Sequence, residues 1–276
     1  MKVFISADFE GTCGVNDVKQ CFPGNPEFEG ARRRWIEDVN AVVEGSLSGG
    51  ATEVLVNEAH AAMNYLLPEL LHPKAGYISG YVKMDNQMEG LDSSFGGAVL
   101  MGHAMAGTGE GVLNHTYVMR DVVGLRLNGK PIGEVGLNAY WASVLGVPVI
   151  LVVGDDKVAE EARSLVPGIE IAVVKKGLSQ FTAHHLPLIE ARRVISAAAE
   201  RAVRRARDIA RLPLPESYRL EIDFSLSEIA HLASFIPSVE RIEGRTVCIT
   251  SNDYRQVQRL RIVCTNLALA VVRQHF

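Results

Sequence analysis

Cysteine is scarce in this chain. Its 276 residues include four, Cys13, Cys21, Cys248 and Cys264. No two stand in a CxxC pair or a dense cluster, so a disulfide framework has no support and a reduced, cytoplasmic setting is expected. Long apolar runs are missing too. The longest aliphatic stretch, VPVILVV over 147–153, falls far short of the roughly 20 residues that cross a bilayer, and no membrane partner is expected. The opening MKVFISADFEG lacks the apolar core and small-residue cleavage site of a secretory signal. Nor is there an excess of basic charge. Lys and Arg number 28 against 32 Asp and Glu, a formal net charge of −4, which argues against nucleic acid as a partner.

What is present is the composition of a globular protein, with 47% hydrophobic and 22% charged residues, in a chain long enough for one large or two modest domains. Strand-like segments over 2–7, 53–57, 75–79, 98–102, 147–153 and 169–174 alternate with helical ones over 26–48, 137–145 and 157–165. Continuous apolar strands in this order predict a three-layer α/β/α domain with a largely parallel sheet. Asn128-Gly129 between 122–127 and 130–135 is a hairpin signal, since both residues tolerate positive φ. The character changes after His184-His185, placed in a loop. A long helix over 189–212, rich in arginine, is read as solvated or in subunit contact; LPLP (212–215) is a rigid connector. A strand (219–224), a helix (227–235), paired strands (239–250) and a terminal helix (254–273) follow, and predict a smaller α+β layer. The expected division is 1–190 as the α/β metal-binding catalytic domain, with 191–276 packing on it and joining subunit contacts.

The residues that could carry chemistry cluster at strand ends. Asp8 and Glu10 follow the first strand; spaced i, i+2, they project to one side at its carboxyl end, where open α/β sheets place ligands. Such a pair repels unless a cation or shared proton intervenes. His60 ends NEAH after the second strand, and His103 follows VLMG in a third. Glu134 sits where the hairpin enters a helix, a position the helix dipole favours for a carboxylate. The glycine-rich GHAMAGTGEG lacks phosphate-loop spacing and reads as a plain mobile loop. Each residue alone has an ordinary structural explanation. Together, Asp8, Glu10, His60, His103 and Glu134 suit zinc or a similar divalent ion. Five ligands exceed one catalytic zinc with an open position, so a two-metal site bridged by Asp8 fits better.

The sequence resembles a known family at several separate places. S-x-D-x-E-G (Ser6, Asp8, Glu10, Gly11) is the signature of dinuclear zinc D-aminopeptidases encoded with bacterial dipeptide-transport systems. EVLVNEAH (53–60), HPKAGYISG (72–80), EGLD (89–92), GVLNHT (111–116), GEVGLNAY (133–140), VVGDD (152–156) and AVVKKGLS (172–179) extend the likeness, closely over about 190 residues and loosely beyond. The resemblance implies two Zn²⁺ per subunit on Asp8, Glu10, His60, His103 and Glu134, and His115 as the catalytic residue. It departs from the usual pattern where His103 follows Gly102 directly. It implies hydrolysis of short peptides or amides with an N-terminal D-amino acid through a two-metal activated water, in a homo-oligomer that forms a ring-shaped decamer. His115 could stabilise an oxyanion, carry a proton to the leaving amine or attack directly; the first two are favoured, because the metal site supplies the nucleophile. Glu89, Asp92 and Asn138 are candidates for the substrate ammonium. Lys83 could meet a substrate carboxylate, though an exposed loop lysine is the plainer reading. The alternatives are a two-metal phosphoesterase, for which the ligand loops offer few cations beyond Lys83 and Arg120, and a non-enzymatic dipeptide-binding protein.

Overall fold

A computed structural model describes residues 1–275. The chain runs β1 (Lys2–Ala7), α1 (Phe28–Ser48), β2 (Glu53–Glu58), β3 (Ala75–Ile78), β4 (Phe95–Met101), β5 (Val122–Leu127), β6 (Lys130–Pro131), α2 (Glu134–Val144), β7 (Val149–Asp155), α3 (Asp156–Leu165), β8 (Glu170–Ser179), β9 (Thr182–His185), α4 (Leu188–Arg204), β10 (Tyr218–Phe224), α5 (Ser227–Ala233), β11 (Val239–Arg241), β12 (Thr246–Ser251) and α6 (Tyr254–His275). Apolar content explains the central strands: every residue of β7 is buried, as is all of β1 after Lys2, which both faces of a covered parallel sheet require.

The first sheet has the order β3-β2-β1-β4-β7-β8-β9, parallel except for β9. From β1 the chain steps one way through β2 and β3, then returns beside β1 as β4 and steps the other way through β7 and β8. Right-handed crossovers in opposite directions place their helices on opposite faces. So α1 covers one face and α2 with α3 the other, while α4 packs on α1 and against β7 and β8. This is the three-layer α/β/α arrangement expected from the sequence. The order reverses between β1 and β4, and their carboxyl ends form the crevice where such sheets bind ligands.

A second, antiparallel sheet has the order β11-β12-β10-β5-β6. Its β5–β6 hairpin turns through Asn128 (φ 51°) and Gly129 (φ 79°), the turn chemistry the sequence predicted. Chain on both sides of residue 190 therefore builds this layer. Helix α6 ties it to the layers around the first sheet, with Tyr254 Oη donating to the Leu137 carbonyl of α2 at 2.7 Å.

One local expectation is corrected. His184-His185 lies not in a loop but in β9, an edge strand paired with β8, where His185 Nδ1 accepts from the Gly14 amide at 3.0 Å. Just past the glycine-rich segment, Val112 and Leu113 are fully buried, and their amides donate to Asp155 Oδ2 (2.6 Å) and the Gln180 carbonyl (2.7 Å). The arginines of α4 are engaged in ion pairs. Arg201 and, just past the helix, Arg205 meet Glu170, and Arg192 meets Glu37 of α1.

Candidate metal centre

Strand register builds the site. Ala7 pairs with Glu58 of β2 on one side and Met101 of β4 on the other, so all three strands end at one level. One residue further lies Asp8, and two further lie His60 and His103. Glycine makes the approach possible: a Cβ on Gly11 would stand 2.6 Å from the Gly102 carbonyl oxygen and 2.7 Å from its amide nitrogen. Glu134 is the first residue of α2 and reaches the same crevice.

The structure brings Asp8, Glu10, His60, His103, His115 and Glu134 together, all buried. Asp8 is central. Its Oδ1 stands 3.3 Å from His60 Nδ1 and its Oδ2 stands 3.5 Å from His103 Nε2. Glu10 Oε2 lies 3.0 Å from His60 Nδ1, and Glu134 Oε1 lies 3.5 Å from His103 Nε2. Two sets of donor atoms, from Asp8, Glu10 and His103 and from His103, His115 and Glu134, each fall within 4.8 Å of one another.

Backbone carbonyls fix the orientation of all three imidazoles. A carbonyl can only accept, so the ring nitrogen facing it carries the proton. His60 Nε2 donates to the Cys21 carbonyl (3.0 Å), His103 Nδ1 to Ala104 (3.0 Å) and His115 Nδ1 to Leu113 (2.8 Å). The opposite nitrogen of His60 and of His103 then faces the carboxylates, the outer-sphere arrangement that orients metal-ligating histidines. His103 Nε2 is buried with no hydrogen-bond partner. An orphaned ring nitrogen among acidic oxygens fits a borderline cation such as zinc, so the donor set and its polarity suit the metal.

The electrostatics carry the same demand for positive charge. Burial, then Glu10, raises Asp8 above the usual carboxylate range. Burial pushes Glu10 upward as well, but the facing His60 outweighs it and holds Glu10 well below that range. Glu134 is likewise held at about 2, because His103 outweighs its burial. His60 moves up to about 10: burial opposes its charge, and Glu10 and Asp8 override it. His115 moves down, through burial and the neighbouring His103, whose ring stacks on it at 3.9 Å between centroids.

Residues that the sequence gave no reason to single out hold this cluster. Gln87 Nε2 donates to Glu134 Oε2, and Gln87 Oε1 accepts from Asn138 at 2.7 Å. The Gln87 carbonyl accepts from Ser6 Oγ and Asn57 Nδ2, each at 2.8 Å. Lys175 of β8 is 2% exposed, and its ammonium donates to the carbonyls of Glu10, Thr12 and Val15 at 2.5, 3.0 and 2.6 Å. A lysine inside the apolar run AVVKKGLS was the available signal.

The candidates for substrate contact separate. Lys83 is buried rather than exposed, because its ammonium donates to Asn57 Oδ1 (2.7 Å) and the Glu58 carbonyl (2.5 Å). Asp92 is exposed and accepts from the Ser94 amide, and Glu89 accepts from the Asp85 amide. Asn138 lines the small cavity beside Asp8, His103 and Glu134.

Buried carboxylates and oriented imidazoles at the switch point of an α/β sheet define a metal-dependent hydrolase. The chain belongs to the D-aminopeptidase family, whose profile matches residues 1–262. It is 36% identical over 271 residues to the D-aminopeptidase of Bacillus subtilis (strain 168), covering 98% of each chain. Its structure resembles that of the zinc-dependent D-aminopeptidase DppA from Bacillus subtilis, a self-compartmentalizing protease, with a TM-score of 0.94, 35% identity and 98% of both chains covered. The family resemblance read from the sequence therefore holds for almost the whole chain, including the last 80 or so residues, where the motifs were loose.

Proposed function

We propose that this chain is a zinc-dependent aminopeptidase that releases N-terminal D-amino acids from short peptides or amides, with two Zn²⁺ per subunit. The observation that carries the reading is the central Asp8 carboxylate, whose two oxygens face two different imidazoles. Glu10 and His60 would complete one half of the centre and His103 and Glu134 the other, with Asp8 shared. Zinc, when bound, supplies the positive charge that polarises a scissile carbonyl and makes water a nucleophile near neutral pH.

The protein's own groups do the rest. Gln87 and the Tyr117 amide, the latter at 2.5 Å from Glu134 Oε1, hold the Glu134 carboxylate in place. Lys175 keeps the turn after β1 fixed, and with it Asp8 and Glu10. His115 commits its Nδ1 proton to Leu113 and is held neutral, so Nε2 presents a lone pair. That state suits proton transfer: His115 would take at Nε2 the proton given up by the attacking water and return it to the leaving amine. Residues 1–190 supply the site, while 191–276 pack on it and enter subunit contacts. The assembly is a homo-oligomeric ring of ten in the cytoplasm.

The test is hydrolysis of D-alanyl and L-alanyl p-nitroanilide after chelation and after zinc is restored. Zinc-dependent cleavage of the D-substrate alone is expected, with a loss of about 10²–10⁴-fold in turnover for His115→Ala. Cleavage of the L-substrate would overturn the stereochemical assignment, and unchanged turnover in the variant would remove His115 from the mechanism.

A further inference from the structure

Glu161 lies outside the cluster, on α3, yet it holds two segments that carry members of it. Its Oε1 accepts from the Gly133 amide at 3.1 Å and its Oε2 from the Met105 amide at 3.2 Å. Met105 follows His103 by two residues, and Gly133 immediately precedes Glu134. One carboxylate thus bridges the backbone behind His103 to the start of α2. The side chain is 8% exposed, and among the described residues no lysine or arginine forms an ion pair with it. A buried carboxylate resting on amide donors is a costly way to fill space, since its desolvation is offset only if those hydrogen bonds are well formed.

Gly133 gives a second, independent sign of the same device. Its backbone is extended (φ −98°, ψ −175°), a conformation open to any residue. A Cβ there would stand 2.6 Å from Glu161 Oε1 and 2.8 Å from Met105 Cβ. The glycine is therefore required by the close approach of the carboxylate and not by the turn. Gly133 also has no side chain with which to cap α2, and Glu161 brings a negative group to that positive helix end from a neighbouring helix.

We propose that Glu161 is a positioning residue that sets the separation of His103 and Glu134, and thereby the zinc affinity of the half of the centre they form. The proposal rests on the reading of these residues as zinc ligands. Gln87 orients the Glu134 side chain, whereas Glu161 fixes the backbone from which that side chain and His103 depart. Ligands need placement to within about 0.5 Å, and a shared anchor achieves this between segments 31 residues apart.

Two variants test it by different routes. Glu161→Gln keeps the shape but turns one acceptor into a donor facing an amide N–H. Gly133→Ala keeps the carboxylate and displaces it. Both are compared with wild type and with Glu160→Gln, a change at an exposed residue of the same helix. Each chelated protein is titrated with zinc against a chromophoric chelator, its metal-free melting is recorded, and the visible spectrum of its cobalt(II)-loaded form is taken. The wild type is expected to take zinc in two steps. Glu161→Gln and Gly133→Ala should weaken one step by about 10–100-fold, leave the other unchanged and alter the cobalt spectrum, while Glu160→Gln matches wild type. Wild-type titrations and spectra in both variants would overturn the proposal. Equal weakening of both steps with a lowered metal-free Tm would also overturn it, by assigning Glu161 a purely structural role. Failure of the wild-type protein to bind zinc would overturn the metal-centre reading itself.

Discussion

At the scale of single residues the centre is a balance of three acidic side chains against imidazoles in a buried pocket. His60 holds its proton in the folded, metal-free protein up to about pH 10, against 6.5 for an ordinary histidine. The folded state therefore binds one more proton than the unfolded chain between those values, and the stability it lends is full below 6.5 and lost as pH rises through 10. Glu134 works in the opposite direction. Held at about 2 against an ordinary 4.5, it contributes fully above 4.5 and loses that contribution as pH falls towards 2. Chelated protein should thus be most stable between these windows and lose Tm steadily from pH 7 to pH 10. With saturating zinc the imidazole proton is no longer needed for charge balance, and the slope in that range should flatten. Thermal melts across pH, with and without chelator, measure this; a flat chelated profile would show that His60 is not the resident cation. Asp8, Glu10, His60 and His103 were legible because each lies one to three residues past an apolar strand, a local feature. Glu161 was not, because what it binds are backbone groups 28 or more residues away, and no local pattern marks those; the lysine within AVVKKGLS hinted that Lys175 is buried, but not that it holds carbonyls 160 or more residues away.

At the scale of elements, periodicity located the central strands and α1 well, since their burial comes from residues within the element. The weaker readings were those that depend on a neighbour. β9 is a strand only because β8 offers it an edge, and four residues of TAHH carry no strand signal of their own. The predicted helix over 189–212 ends at Arg204 because its last turn gives way to a 3-10 segment over Ala206–Asp208. The crossing of α1 and α4 is another tertiary feature, and it depends on Gly45 and, just past the helix, Gly49. A Cβ on Gly45 would overlap the Ser196 carbonyl oxygen, so the two helices meet backbone to backbone there. The Cβ cannot be relieved by a rotamer change, because the obstacle is main chain. Gly45→Ala should therefore destabilise the protein by about 1–3 kcal/mol, despite alanine's higher helix propensity, which alone would favour it by about 1 kcal/mol. A lower urea midpoint with an unchanged m-value would register this. A midpoint at or above that of wild type would mean that the helices can separate without cost.

At the scale of the whole molecule, the single subunit exposes large apolar side chains that a solitary domain has little reason to leave in water. Ile189 is 81% exposed, Phe235 68% and Val82 67%. They belong to three segments far apart in sequence, at the start of α4, just after α5 and in the loop after β3. No helix among the described residues is long and apolar enough to cross a membrane. A relative of known structure is a self-compartmentalizing protease, and closed rings arise when head-to-tail or two-fold contacts close on themselves. Ten subunits of 30.0 kDa would give a particle of about 300 kDa, a mass that sedimentation equilibrium distinguishes readily from a monomer or dimer. The functional consequence is separable from the mass. If the sites face an enclosed space, access is limited by the openings and not by the chemistry. A D-alanyl dipeptide should then be cleaved readily, while the same D-alanyl terminus on a folded protein too large to enter should survive prolonged incubation with zinc-loaded enzyme. Mass spectrometry of the protein substrate's N-terminus decides the point. Its removal at a rate comparable to that of the dipeptide would show that the sites are open to bulk solvent, whatever the mass of the particle.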